Sequence, residues 1–192
     1  MTVLETLRRR FTRDEYLKMA EAGVFGPWER VQLIAGEIIR MTPQGSLHAT
    51  GICKVDVTLR LVFPSGYQIR IQLPLDLGRY SQPEPDLAVV RGSYEDFRDA
   101  HPTAAVLVVE ISDATLDLDR REKAAIYAEA NIPEYWIVNL ADRILEVQRD
   151  PAPGVGPGGG HGYRTILRLT GGDYITPLGA PQTRIPVGDL LP

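Results

Sequence analysis

Two acids stand where apolar runs meet polar chain. Asp86 opens the run Leu87-Ala88-Val89-Val90, and Glu110 ends the run from Ala104 to Val109. Val-rich runs of this length read as buried strands. An unpaired carboxylate in an apolar interior is costly, so each acid needs a partner, a metal ion or solvent at the sheet's edge. If the two strands are neighbours, both acids reach one cation. Two such carboxylates repel, and one takes up a proton at neutral pH unless a cation neutralises the pair. Mg²⁺ or Mn²⁺ suits that position, because hard ions take carboxylate, carbonyl and water oxygens. A bound divalent ion polarises a phosphoryl oxygen, lowers the pKa of attacking water and orients it. Lys123 follows on a helix, where its ammonium can stabilise developing negative charge. Asp86, Glu110 and Lys123 together suit phosphodiester cleavage, and Glu37 offers a third acid for the metal shell. Singly, each has a plainer reading. Asp86 can merely start a strand, and Glu110 can bond backbone amides beside Ser112. Lys123 can pair with Asp119, four residues before it, as an exposed ion pair contributing about 0.3–0.5 kcal/mol.

The elements that must position these groups follow from punctuation and periodicity. Thr12 and Glu15 form a capping box that opens a helix, which Gly23 and Gly26-Pro27 stop. Val31 to Met41 reads as a hairpin around Ala35-Gly36. Ser46 caps a helix carrying Ile52, Val55, Leu59 and Val62 at helical spacing, ended by Pro64. His48 lies in its first turn and reads as a histidine at a helix end. Tyr67 to Leu73 alternates as a strand, continued to Leu77, with Gln68, Arg70 and Gln72 on a solvated face; Arg70 is the one of these that can meet phosphate. Pro83 and Pro85 stiffen the approach to Asp86. Residues 91 to 102 cross the surface, and the Glu110 strand follows. Asp119 and Glu122 repeat the capping-box pattern, predicting a helix from Asp119 to about Ala130 with Lys123 and Tyr127 on one face. Glu134–Leu140 and Ile144–Arg149 read as a strand pair. Pro151–Gly162 reads as a mobile Gly/Pro loop. Tyr163–Leu169 and Tyr174–Leu178 read as a hairpin around Gly171-Gly172, and the tail from Ile185 packs back on the body.

The bulk numbers narrow the class. A chain of 192 residues, 44% hydrophobic and 24% charged, suits one ordinary α/β domain over residues 1–192. No apolar run approaches the roughly 20 residues of a membrane span, and the first sixteen residues lack the apolar core of a secretory signal. Cys53 is the lone cysteine, so no disulfide framework or thiolate zinc site can form within the chain. A cytoplasmic location is the expectation. The net charge of −4 argues against indiscriminate nucleic-acid binding, although acids kept for a metal would also lower it. Arg8, Arg9, Arg10 and Arg13 form a small basic cluster at a helix entrance. There is no G-x-S-x-G elbow, phosphate-cradling G-x-x-x-x-G-K or H-E-x-x-H. Three histidines make a multi-histidine metal site improbable.

These residues resemble the PD-(D/E)xK nuclease superfamily. More closely, the chain is similar to the Uma-type "putative restriction endonucleases". The likeness rests on FTRDEYLKMAE, LIAGEIIRM, the segment ending at His48, EPDLAVV, VLVVEISDAT and above all DRREKAAIYAEANIPEYWIV. It implies an α/β fold with a mixed sheet, flanking helices and extra β-hairpins. It also implies a Mg²⁺- or Mn²⁺-dependent DNA endonuclease acting as a homodimer, with Asp86 and Glu110 as metal ligands. The superfamily's usual lysine falls at Ser112, where it is missing, and Lys123 resembles the migrated lysine of this family. Glu37 matches a family acid close to the site, and His48 a family histidine. The family's E-L-I-D-G-E stands here as Gln32-Leu33-Ile34-Ala35-Gly36-Glu37, so two of its three acids are replaced. Two alternatives stay open: a non-catalytic nucleic-acid-binding or interaction module, and a hydrolase of RNA or another phosphoester.

Overall fold

The computed structural model describes residues 8–192. The first seven residues, part of the opening read above as lacking a secretory core, lie outside the described residues. Helix α1 (Arg13–Glu21) starts with the expected reciprocal cap. The Glu15 amide donates to the Thr12 hydroxyl, and the Glu15 carboxylate accepts from the Thr12 amide. Strands β1 (Val31–Ile34) and β2 (Glu37–Arg40) form the expected hairpin. Its two turn residues, Ala35 and Gly36, have φ of 49° and 87°, the positive values that tight hairpin turns favour. Helix α2 (Ser46–Val62) then leads into a six-stranded sheet.

The sheet runs in the order β3 (Tyr67–Ile71), β4 (Leu87–Arg91), β5 (Leu107–Ser112), β6 (Glu134–Asn139), β7 (Ile144–Ala152), β8 (Gly162–Leu169). Neighbours are antiparallel except β5 and β6, which are parallel. A parallel pair needs a crossover. Here it contains α3 (Leu116–Leu118), a π-helical stretch Asp119–Lys123 and α4 (Ala124–Glu129). Alternation along the strands divides the apolar side chains between two layers. Leu87, Val89, Leu107, Val109 and Ile111 pack with Ile52, Val55 and Leu59 of α2. Ala88, Val90, Val108, Tyr135 and Ile137 pack with Ala124, Ile126 and Tyr127 of the crossover and with Ile34 of the first hairpin. Tail residues Val187, Leu190 and Leu191 join the α2 layer as expected. No helix is long and apolar enough to cross a membrane among the described residues.

Several local expectations are corrected. The cap of α2 is Gly45, without a side-chain bond; Ser46 is already helical. The crossover helix begins at Leu116, so Asp119 is interior and caps nothing. Strand β3 stops at Ile71 rather than running to Leu77. Gln72 turns the chain at φ 51°, and its amide donates to both Pro85 and Asp86 carbonyls at 3.1 Å. The face carrying Gln68 and Arg70 is buried rather than solvated, because a second layer covers that side of the sheet. The Gly/Pro segment is shorter than its sequence suggests, since β7 extends to Ala152 and pairs there with Gly162. The loop between them closes on itself through Gly156 N–H to Gly160 O. Tyr163–Leu169 does not pair with Tyr174–Leu178. It lies against β7, while β9 (Tyr174–Ile175) pairs with β10 (Ile185–Pro186). The buried edge offered by β7 wins over the short Gly171-Gly172 connection.

Candidate active site

The register of β4 on β5 explains how two acids far apart in sequence meet. Leu87 pairs with Val109, so one step further along the antiparallel ladder sets Asp86 opposite Glu110. Asp86, Ala88 and Val90 share one face, and the same face of β5 carries Val108, Glu110 and Ser112. The Asp86 amide points to Glu110 Oε2 at 3.4 Å. Both side chains are almost fully buried.

Each carboxylate is held by its own donors. Asp86 Oδ2 accepts from the Ile111 amide at 2.8 Å and lies 2.9 Å from His48 Nε2. Its Oδ1 accepts from Gln72 Nε2 at 3.1 Å. Glu110 Oε1 accepts from the Tyr127 hydroxyl at 2.7 Å and stands 2.9 Å from Lys123 Nζ. Lys123 Nζ is also 3.2 Å from Asp119 Oδ1, and Asp119 Oδ2 accepts from Thr115 Oγ1 at 2.7 Å. The Lys123–Asp119 pair is therefore buried, not the exposed ion pair its i, i+4 spacing suggests.

The π-helical stretch sets this arrangement. π-turns are rare and recur at functional positions. Here the wider turn sends Asp119 and Lys123 inward to Glu110. It sends Arg120 to Glu146 of β7, a carboxylate that also accepts from Asn139 Nδ2 at 3.0 Å. The Tyr135 hydroxyl donates to the Asp119 carbonyl at 3.1 Å, tying the same turn to β6.

Burial controls the charge state. It pushes the Glu110 carboxyl up to about 8; Lys123 pulls it down, while Asp119 and Asp86 add to the rise. Asp86 is likewise raised by burial, against the lowering effect of its Ile111 and Gln72 hydrogen bonds. Burial works against the Lys123 ammonium, but Glu110 and Asp119 outweigh it and hold its pKa above the ordinary lysine range. At neutral pH the cation-free pair thus carries a proton, as expected of two buried acids with too little positive charge nearby.

The donor set fits a hard divalent ion of one particular kind. Each carboxylate keeps one oxygen with only a longer donor, Asp86 Oδ1 and Glu110 Oε2, and a carboxylate oxygen has lone pairs to spare. Mg²⁺ is commonly held by one or two carboxylates with water and substrate phosphate completing its shell. A closed protein cage is not formed. Among the described residues no group of three or more His, Cys, Asp or Glu is placed to hold a metal.

The remaining sequence candidates divide. His48 and Tyr127 are brought to the two carboxylates. Glu37 is not: its side chain is exposed at the start of β2, bonded to Arg8 at 3.3 Å. Ser112 shares the Glu110 face of β5, yet its buried hydroxyl has no partner among the described residues. The replaced family acids have structural surroundings. Gln32 accepts from the Glu84 amide at 3.2 Å, and Ala35 is a turn residue. Gln72 carries no sequence sign of its role as a partner, and Asp119, read as half of an exposed ion pair with Lys123, forms that pair in the interior. Gln72 sits in an alternating strand pattern with no sign of a positive φ. Asp119 resembles the N-cap of a helix that in fact starts three residues earlier.

The comparisons with known proteins bear on the whole chain. A family model, Uma2, described as "Putative restriction endonuclease", matches residues 13–188. A crystal structure of a "putative nuclease belonging to DUF820" from Anabaena variabilis superposes with a TM-score of 0.70 at 16% identity, covering 94% of this chain and 97% of that one. At that identity the likeness shows the fold. No curated protein matches the sequence.

Proposed function

Because the chain belongs to the Uma2 family, we propose that it is a divalent-metal-dependent endonuclease that hydrolyses phosphodiester bonds in DNA. The observation that carries this reading is the Asp86–Glu110 pair, side by side on one face with Lys123 on Glu110. In this reading Asp86 and Glu110 hold Mg²⁺ or Mn²⁺ and Glu37 takes no part. When bound, the cation supplies Lewis-acid polarisation of the phosphoryl group and a lowered pKa for attacking water.

The chain's own residues do the rest. The Ile111 amide, His48 and Gln72 fix the Asp86 carboxylate, so it need not reorganise during the reaction. Tyr127 and the Asp86 amide do the same for Glu110. Lys123 stays protonated, and its ammonium sits beside Glu110 to stabilise negative charge that builds on the phosphate. Asp119 shares Lys123 and keeps its side chain turned inward. The family likeness further suggests a homodimer.

A second reading draws on the displaced Glu37 and the donors already filling Glu110 Oε1: a nuclease-fold module that binds nucleic acid without cutting it. Incubation of plasmid DNA, single-stranded DNA and RNA with Mg²⁺ or Mn²⁺ separates the two. Cleavage of DNA by the native chain, abolished in Asp86→Ala, is the expected result. Retention of DNA without cleavage favours the binding module, and cutting of RNA alone replaces the substrate.

A further inference from the structure

Arg70 is a buried cation without a counter-ion. Its residue exposure is 6%, yet among the described residues no carboxylate lies within ion-pair distance of it. Its Nε has no hydrogen-bond partner among the described residues. Its Nη2 has only two long contacts, the Pro74 carbonyl at 3.5 Å and His101 Nδ1 at 3.4 Å. The ring of Phe97 lies 5.6 Å from the guanidinium carbon. Burial lowers the Arg70 pKa, with no opposing anion to raise it.

Every other buried charge described above has a partner: Asp86, Glu110, Asp119, Lys123 and Glu146. Removing a guanidinium from water without an anion is costly, and leaving its donors idle adds to that. A chain does not gain stability from such a residue. Arg70 is also placed to matter. It pairs with Ala88, two residues along β4 from Asp86 and on the same face. Two residues on from Arg70, just past the end of β3, Gln72 holds Asp86 Oδ1. What covers Arg70 is thin: half-buried Phe97 and Pro74, and exposed His101 on the surface loop between β4 and β5.

We propose that Arg70, with His101 beside it, is an anion site that takes a phosphate of the nucleic-acid backbone next to the Asp86–Glu110 pair. A guanidinium presents a planar fork that matches two phosphate oxygens, and here that fork is unspent. The assignment of the anion to a substrate backbone rests on the phosphodiester reading above. The existence of an anion site does not.

Thermal melts of the full chain in chelator, with no divalent cation, test it. Inorganic phosphate is compared with chloride at matched ionic strength, and a short DNA duplex supplies the backbone phosphate. The native chain is expected to melt several degrees higher with phosphate and with duplex. Arg70→Met is expected to melt at or above the native temperature without phosphate, since it removes an unpaired buried charge, and to show neither rise. Arg70→Lys, which keeps the charge but loses the fork, is expected to fold and to give a several-fold weaker phosphate response. Equal rises in native and Arg70→Met chains overturn the site, as does Arg70→Met melting well below the native chain with Arg70→Lys responding in full. A rise with phosphate and none with duplex overturns the backbone assignment. Because no cation is present, failure here is distinct from failure of the metal-dependent reading.

Discussion

Lys123 and Glu110 share a single charge problem. Glu110 sits at about 8 through burial even with the ammonium beside it. Lys123→Met removes the largest force opposing that rise and leaves Asp119 with a buried oxygen and no cation. Cleavage is expected to fall about 10²–10³-fold, the scale of losing one charge-stabilising donor, while cation binding by calorimetry persists in weakened form. Asp86→Asn is expected to do the reverse in kind: the carboxamide keeps the shape of the site but loses the anion, so cation binding itself disappears. Equal cation affinity in native and Asp86→Asn chains would remove Asp86 from the ligand set. Among these residues the sequence marked Asp86 and Glu110 as a pair, because acids bordering Val-rich runs are costly, although singly each had a plainer reading. It said little about their donors. Tyr127 was marked only by its spacing from Lys123, and His48 looked like an ordinary helix-end histidine. Gln72 gave no signal, because a positive φ at a non-glycine leaves no trace in an alternating pattern.

At the scale of elements, two local devices shape the chain. The first is the π-helical turn, clamped to β7 by Arg120 on Glu146. Arg120→Met strands a buried carboxylate with the Asn139 amide as its donor and Arg168, opposite it on β8, as the remaining nearby cation. The expected loss is roughly 3 kcal/mol, the lower end for a broken buried pair because Arg120 is partly exposed; denaturant unfolding measures it. Activity should fall further than stability alone explains, since the same turn aims Lys123. The second device is the β1–β2 hairpin, where Ala35 adopts φ 49°. A left-handed L-residue costs roughly 1–2 kcal/mol, and Asp visits that region more readily. Ala35→Asp, which restores the family acid, is therefore expected to raise the melting temperature by about 2–4 °C and to leave cation affinity unchanged. A tightened cation affinity would instead make position 35 part of the metal site. The hairpin and α1 were legible because their punctuation is local. The π-turn was not, since neither residue type nor spacing distinguishes its wider winding from an α-helix. The final hairpin failed for a related reason: β8 took the longer-range edge of β7.

Across the whole molecule, a six-stranded sheet is covered on both faces, yet several charged groups are buried within one of the two layers. That layer makes stability depend on pH. Glu110 binds its proton more tightly folded, at about 8, than at the ordinary 4.5. The resulting stabilisation is full below about pH 4.5 and is lost as pH rises through about 8. Asp86, also raised, contributes in the same direction. A cation takes over the proton's role, so the rise in melting temperature on adding Mg²⁺ should grow between about pH 6 and about pH 9. A Mg²⁺ effect that shrinks over that range would mean the ion binds elsewhere. The net charge of −4 reflects in part these inward-facing acids.

The most direct measurement is a calorimetric titration of Mn²⁺ into the native chain and into Asp86→Ala, at about pH 7 in two buffers of different ionisation enthalpy. The expected result is saturable binding by the native chain with release of the Glu110 proton to the buffer, and no binding by the variant. Absence of binding in the native chain, or identical binding in both, contradicts a cation held between Asp86 and Glu110.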